Sequence, residues 1–146
     1  MLSRIKNNNK GFTIIEVLIV LAIAGLIMLI VFLAVPALQR NQRNNARNSD
    51  ASRISAAVTE CLANRNGLTA SCDTQAEIAA GNTSQIATYG VGTASSLTSA
   101  AVSFGAAAGG CTADGTATAA GAGARSFSVL YQLESGGADI TRCIAS

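Results

Sequence analysis

The chain has no histidine and no tryptophan. Without histidine it lacks the commonest metal ligand and the commonest acid–base catalyst. Aromatic residues make up 4%, charged residues 12%, and the only proline is Pro36. No Gly-rich phosphate loop and no pair of acids at a fixed spacing is present. We therefore expect no enzyme, no cofactor and no resident metal, and read scattered acids such as Asp114 and Asp139 as solvated. Net charge is +2, and three of the ten basic residues (Arg4, Lys6, Lys10) fall in the first ten positions. From Asn66 onward only Arg125 and Arg142 oppose Asp73, Glu77, Asp114, Glu134 and Asp139. That acidic balance argues against direct nucleic-acid binding.

What the chain does have is a long apolar run. Val17 to Val35 is 19 residues without a charge. As a helix it spans roughly 28 Å, about the thickness of a bilayer's hydrocarbon core. It is too long for the apolar part of a secretory signal peptide, and "VPALQR" is a poor cleavage exit. Basic residues flank it on both sides, with Arg40, Arg43 and Arg47 following, so charge alone leaves the orientation open. Those three arginines share roughly one helical face and are expected to meet lipid headgroups or acids of neighbouring subunits.

Cys61, Cys72, Cys111 and Cys143 all lie beyond the run, and none forms a CxxC. In an exported segment they read as two disulfides with three possible connectivities. Local pairing, Cys61–Cys72 and Cys111–Cys143, is the working expectation. The cysteines also place the C-terminal part outside the membrane.

Residues 37–50 are polar almost throughout, with four Asn between 41 and 48. Helical periodicity returns at Ala51, Ile54, Val58 and Cys61 or Leu62. "NRNG" at 64–67 ends it, with Gly67 as the expected C-cap. In residues 66–146, Ala, Gly, Ser and Thr account for 51 of 81 positions. Such a stretch has few large side chains to bury, and 105–124 also reads as a disordered linker. The end of the chain reads differently. Phe127, Val129, Tyr131 and Leu133 alternate, and Gly136-Gly137 suits a two-residue hairpin turn. That register sets Leu133 opposite Ile140 and Val129 opposite Ile144. "SAAVSF", 99–104, is a third strand, and the stripe on Ala51, Ile54, Val58 and Leu62 would cover the sheet. The fold class is α+β: a long N-terminal helix, apolar then amphipathic, on a small antiparallel sheet. "NTS" at 82–84 is a formal glycosylation acceptor and a weak signal.

One residue breaks the apolar start. Glu16 sits five residues inside "FTIIEVLIV". "TIIE" fits a capping box, with Thr13 as N-cap and Glu16 reaching back, and Phe12 with Val17 as a hydrophobic staple. The helix dipole favours an anion there. A carboxylate in lipid nevertheless costs a few kcal/mol and normally marks a partner. A cut between Gly11 and Phe12 would create one. The new α-amine, protonated near neutral pH, lies at about the depth of Glu16 and is able to pair with the Glu16 of another copy.

These residues resemble a known family. "KGFTIIEVLIVLAIAGLI" is similar to the N-terminal signature of type IV prepilins: a short basic leader ending in Gly, then Phe, Thr, two aliphatics, Glu and an apolar helix. The resemblance implies a leader at 1–11, cleaved after Gly11 by a prepilin peptidase that also N-methylates Phe12. It implies a transmembrane and filament-core helix at 12–36, an amphipathic continuation at 37–65 and a disulfide-stapled head at 66–146. Subunits would enter a helical homopolymer through an assembly ATPase and its membrane platform, with Glu16 facing a neighbour's Phe12 amine. In the family a helix-breaking proline comes about one turn earlier, near Leu33. Here two readings stay open: local melting between Gly25 and Pro36, or no more than a kink at Pro36. The family's C-terminal disulfide loop corresponds most simply to Cys111–Cys143. The function implied is a filament subunit, resident in the cytoplasmic membrane and then on the cell surface, in adhesion, twitching or uptake. The alternatives are a pseudopilin of a secretion or DNA-uptake system and a monomeric membrane-anchored binding module.

Overall fold

A computed structural model describes residues 11–93 and 95–146. Of the basic leader expected at 1–11, residues 1–10 lie outside them. The chain divides into two compact units, one ending at Leu38 and the other Gln39–Ser146. Helix α1, Ile14–Asn64, begins in the first unit. Its assignment passes through Gly25 and Pro36 without interruption. Pro36 has no N–H to give the Phe32 carbonyl, so one helical hydrogen bond is missing at that turn.

In the second unit α1 buries Arg47, Asp50, Ala51, Ile54, Val58, Cys61 and Leu62. These positions recur every three or four residues, which puts them on one face. The helix ends with the Gly67 amide bonded to the Leu62 carbonyl at 2.7 Å, the closing bond of a Schellman-type end. The expected cap residue is displaced by one. Asn66 takes the first left-handed position, φ 53°, and Gly67 follows it. Asn tolerates that conformation because its short polar side chain bonds locally.

The covering sheet has the order β1-β2-β5-β6, formed by Thr88–Gly90, Ser99–Phe104, Phe127–Leu133 and Ile140–Ala145. Strand β5 pairs antiparallel with β2, Val129 facing Val102 and Phe127 facing Phe104. It pairs with β6 in the register that aligns the apolar residues, Leu133 with Ile140 and Val129 with Ile144. Ala51, Ile54, Val58, Val102, Phe127, Val129 and Tyr131 belong to one buried cluster. Strand β1 was not expected. It is three residues long, runs parallel to β2, and leaves a mixed sheet rather than a purely antiparallel one.

The hairpin turn also differs. Pairing stops at Leu133 and Ile140, so the loop between them is six residues, 134–139, rather than two. The reason is that Glu134 is taken by the helix. Its N–H donates to Asn44 Oδ1 and its carbonyl accepts from Asn44 Nδ2, both at 2.8 Å. Its carboxylate accepts from Arg43 Nε at 2.9 Å and Nη2 at 2.6 Å, and from Arg47 Nη2 at 2.7 Å. The arginines expected to meet headgroups or neighbouring subunits are thus bound, two of the three, inside their own chain.

Residues 105–124 are structured, not a linker. Strands β3, Gly110–Cys111, and β4, Thr118–Ala119, form a small hairpin. It is tied to β6 by the Cys111–Cys143 disulfide and by the Cys143 amide on the Gly115 carbonyl. Its composition follows from backbone lying on backbone. A Cβ at Gly109 would overlap the Ser126 carbonyl, and one at Gly110 the Ala120 carbonyl. A second disulfide joins Cys61, near the end of α1, to Cys72. The short helix α2, Gln75–Ile78, follows with a Thr74/Glu77 capping box.

Asp50 is buried with no cation paired to it among the described residues. Its Oδ2 accepts the backbone N–H groups of Ser84 at 2.8 Å, Gln85 at 2.6 Å and Ile86 at 3.1 Å. Burial pushes this carboxyl up, but the bonds from Gln85, Ser84 and Ile86 outweigh it and hold it below the usual aspartate value. Hydrogen bonds from Arg43 and Arg47 hold the Glu134 carboxyl at about 2. Both folded values lie below the unfolded ones, about 4. Their stabilisation is therefore complete above that value and is withdrawn as pH falls through it toward 2. The buried tyrosines Tyr89 and Tyr131 report unfolding. Urea midpoints should be flat from pH 7 to about 5 and fall below that. Asp50→Ala, which strands three amides, should lose about 3 kcal/mol at pH 7 and show a shallower acid decline.

Candidate functional site

The site is built from residues 11–16. Gly11 makes no contact that a side chain would disturb: a Cβ there would meet nothing within 4 Å. Phe12 follows, 89% exposed. The junction between them therefore lies on accessible, non-helical chain just ahead of α1. Thr13 caps the helix. The Glu16 and Val17 amides reach its carbonyl at 3.2 and 3.5 Å, and the Glu16 amide lies 3.4 Å from Thr13 Oγ1. Glu16 answers through one oxygen, Oε2, which accepts from the Thr13 amide at 3.0 Å and the Thr13 hydroxyl at 2.9 Å. This reciprocal arrangement is the capping box of the sequence. The other oxygen, Oε1, accepts no hydrogen bond among the described residues.

Beyond Glu16 the first unit exposes its large apolar side chains, from Val17 at 49% to Leu33 at 75%. This helix is long and apolar enough to cross a membrane, and its most apolar window has nothing buried. Gly25 has no packing reason within the chain, since a Cβ there would meet nothing within 4 Å. Glycine in a helix costs about 0.5–1 kcal/mol against alanine.

The second unit holds an open cavity of about 400 Å³ between the end of α1 and β5, lined by Leu62, Asn66, Arg125 and Phe127 among others. Among the described residues no three His, Cys, Asp or Glu side chains gather to hold a metal ion. Glu134 and Asp50, which no sequence motif marks, tie the helix to the loops and sheet. Both are ordinary acids in sequence, and no local pattern marks their partners, at least 34 residues away.

Residues 6–32 match the prokaryotic N-terminal methylation motif. No curated protein and no solved structure matches the chain. The matched segment holds Gly11, Phe12, Glu16 and Gly25 and carries a type IV pilin-like prepilin signal. Such a signal implies processing by a prepilin peptidase, and with the apolar helix it fits a membrane-anchored precursor. The local geometry is testable by itself. Thr13→Ala should cost about 1 kcal/mol of helix-start stability. In micelles this should appear as roughly fivefold faster exchange of the Glu16 and Val17 amides.

Proposed function

We propose that this chain, bearing a prepilin-type signal, is a structural subunit of a type IV pilus-like surface filament. One observation carries the reading. Within the signal segment, the helix surface and one oxygen of Glu16, the segment's one acid, both lack partners among the described residues. An apolar surface of this size is stable only in lipid or against other copies. Cleavage after Gly11 would supply the missing cation, the Phe12 amine, and N-methylation would leave it charged. Oε2 remains engaged in the cap, so Oε1 is available to the amine of a neighbouring subunit without loss of the helix start. Residues 12–36 would then form the filament core, 37–65 its amphipathic continuation and 66–146 the outward head. Gly25 and Pro36 are where the helix would yield on packing. A pseudopilin would use the same chemistry in a shorter assembly.

Intact mass of filament protein should give a chain beginning at Phe12 with one added methyl group. A mature chain retaining residues 1–11 would overturn the reading. Glu16→Gln preserves shape and a capping acceptor but removes the charge. It should insert and be cleaved normally, while filament yield drops at least tenfold and membrane-bound monomer accumulates, because an incoming amine left without its anion costs several kcal/mol. Normal filaments from Glu16→Gln would leave Glu16 as a helix cap and nothing more.

A further inference from the structure

The polar stretch after Pro36 holds a helix together with little help. No side chain of residues 37–42 makes a hydrogen bond or ion pair among the described residues; only Arg40 is half-buried, its Nη1 lying against Gly136. Pro36 leaves the Phe32 carbonyl without its helical donor. Asn41 is a mediocre helix former, and Asn44, Asn45 and Asn48 follow it. Buried residues of α1 begin only at Arg47.

At Arg43 the situation changes within one turn. Arg43 makes three hydrogen bonds to the Glu134 carboxylate. Asn44 exchanges two with the Glu134 backbone, acting as the strand partner that β5 lacks there. Arg47 adds one to the same carboxylate and one from Nε to the Leu97 carbonyl at 2.9 Å. Positions 43, 44 and 47 lie on one side of the helix. Unwinding turns the helix about its axis, and turning this segment would break all seven bonds together.

We infer that the grip of Arg43, Asn44 and Arg47 on Glu134 is a stop in α1: helix opening that begins at Pro36 spreads through residues 37–42 and halts at Arg43. The hydrophobic stripe, which starts at Ala51, is thereby shielded from strain applied to the N-terminal part of the helix. The device belongs to the single chain and does not require the filament. Its use there would be to let residues 36–42 give while the head stays folded.

Hydrogen–deuterium exchange of the full chain in micelles, read by mass spectrometry of overlapping peptides, tests this. In the wild type, amides of 39–45, whose helical acceptors are carbonyls 35–41, should exchange at least tenfold faster than those of 46–49. In Glu134→Ala the boundary should move to Asp50, with 46–49 at least tenfold faster and 54–62 unchanged. If Glu134→Ala also loses protection at 54–62, Arg43→Gln takes its place. It removes three of the seven bonds, keeps the buried Arg47, and should speed exchange at 46 and 47 alone. Uniform protection from 37 to 50 in the wild type would overturn the inference. So would unchanged exchange at 46–49 in a folded Glu134→Ala or, where Arg43→Gln is used, at 46 and 47.

Discussion

Burial of Ala51, Ile54, Val58 and Leu62 against Val102, Phe127, Val129 and Tyr131 makes the second unit a folded object. Helix and sheet each have one apolar face, and neither is stable in water alone. The rest of the second unit depends on that contact. The disulfides, the β3–β4 hairpin and the loop that caps Asp50 all attach to elements that it has already aligned. The core is thin, because more than half of residues 66–146 are Ala, Gly, Ser or Thr. Burying such residues removes little apolar area from water, so hydrophobic burial contributes modestly per residue.

Polar interactions of fixed geometry make up part of the difference. Asp50 collects three backbone donors from one loop, and Glu134 engages three side chains of one helical turn. Each ties the helix to chain that is distant in sequence, and each satisfies groups that would be costly to bury unpaired. The small residues have a complementary use. Where Gly109 and Gly110 sit, backbone packs directly on backbone, a spacing that side chains would forbid. Two disulfides, Cys61–Cys72 and Cys111–Cys143, restrict the unfolded chain and hold the loops to this frame.

The first unit obeys a different rule. Its apolar side chains are exposed, which only lipid or further copies of such a helix make favourable. Glu16 is consistent with that setting in two ways. Through Oε2 it closes the capping box with Thr13, satisfying donors that a helix start leaves open. Through Oε1 it retains acceptor capacity that none of the described residues uses. A carboxylate with half its capacity committed to local structure and half uncommitted is suited to both a membrane-anchored and an assembled state.

Much of this was written in local patterns. The apolar run, the capping box, the buried stripe and the β5–β6 register all rest on periodicity or near-neighbour chemistry, which sequence displays directly. So does the prepilin-type signal, since a peptidase must read contiguous residues. Other features needed the tertiary structure. Which acid meets Arg43 and Arg47 depends on where β5 ends, and no spacing in the sequence reveals it. Strand β1 is too short to show alternation and exists because β2 offers it an edge. The stretch 105–124 has the composition of a linker, yet close backbone packing and a disulfide order it. The hairpin turn kept the register its glycines implied but not its length, because Asn44 holds the Glu134 backbone from another element. Periodicity determines which face of an element is buried; only the folded chain decides which distant polar groups then come within hydrogen-bonding reach.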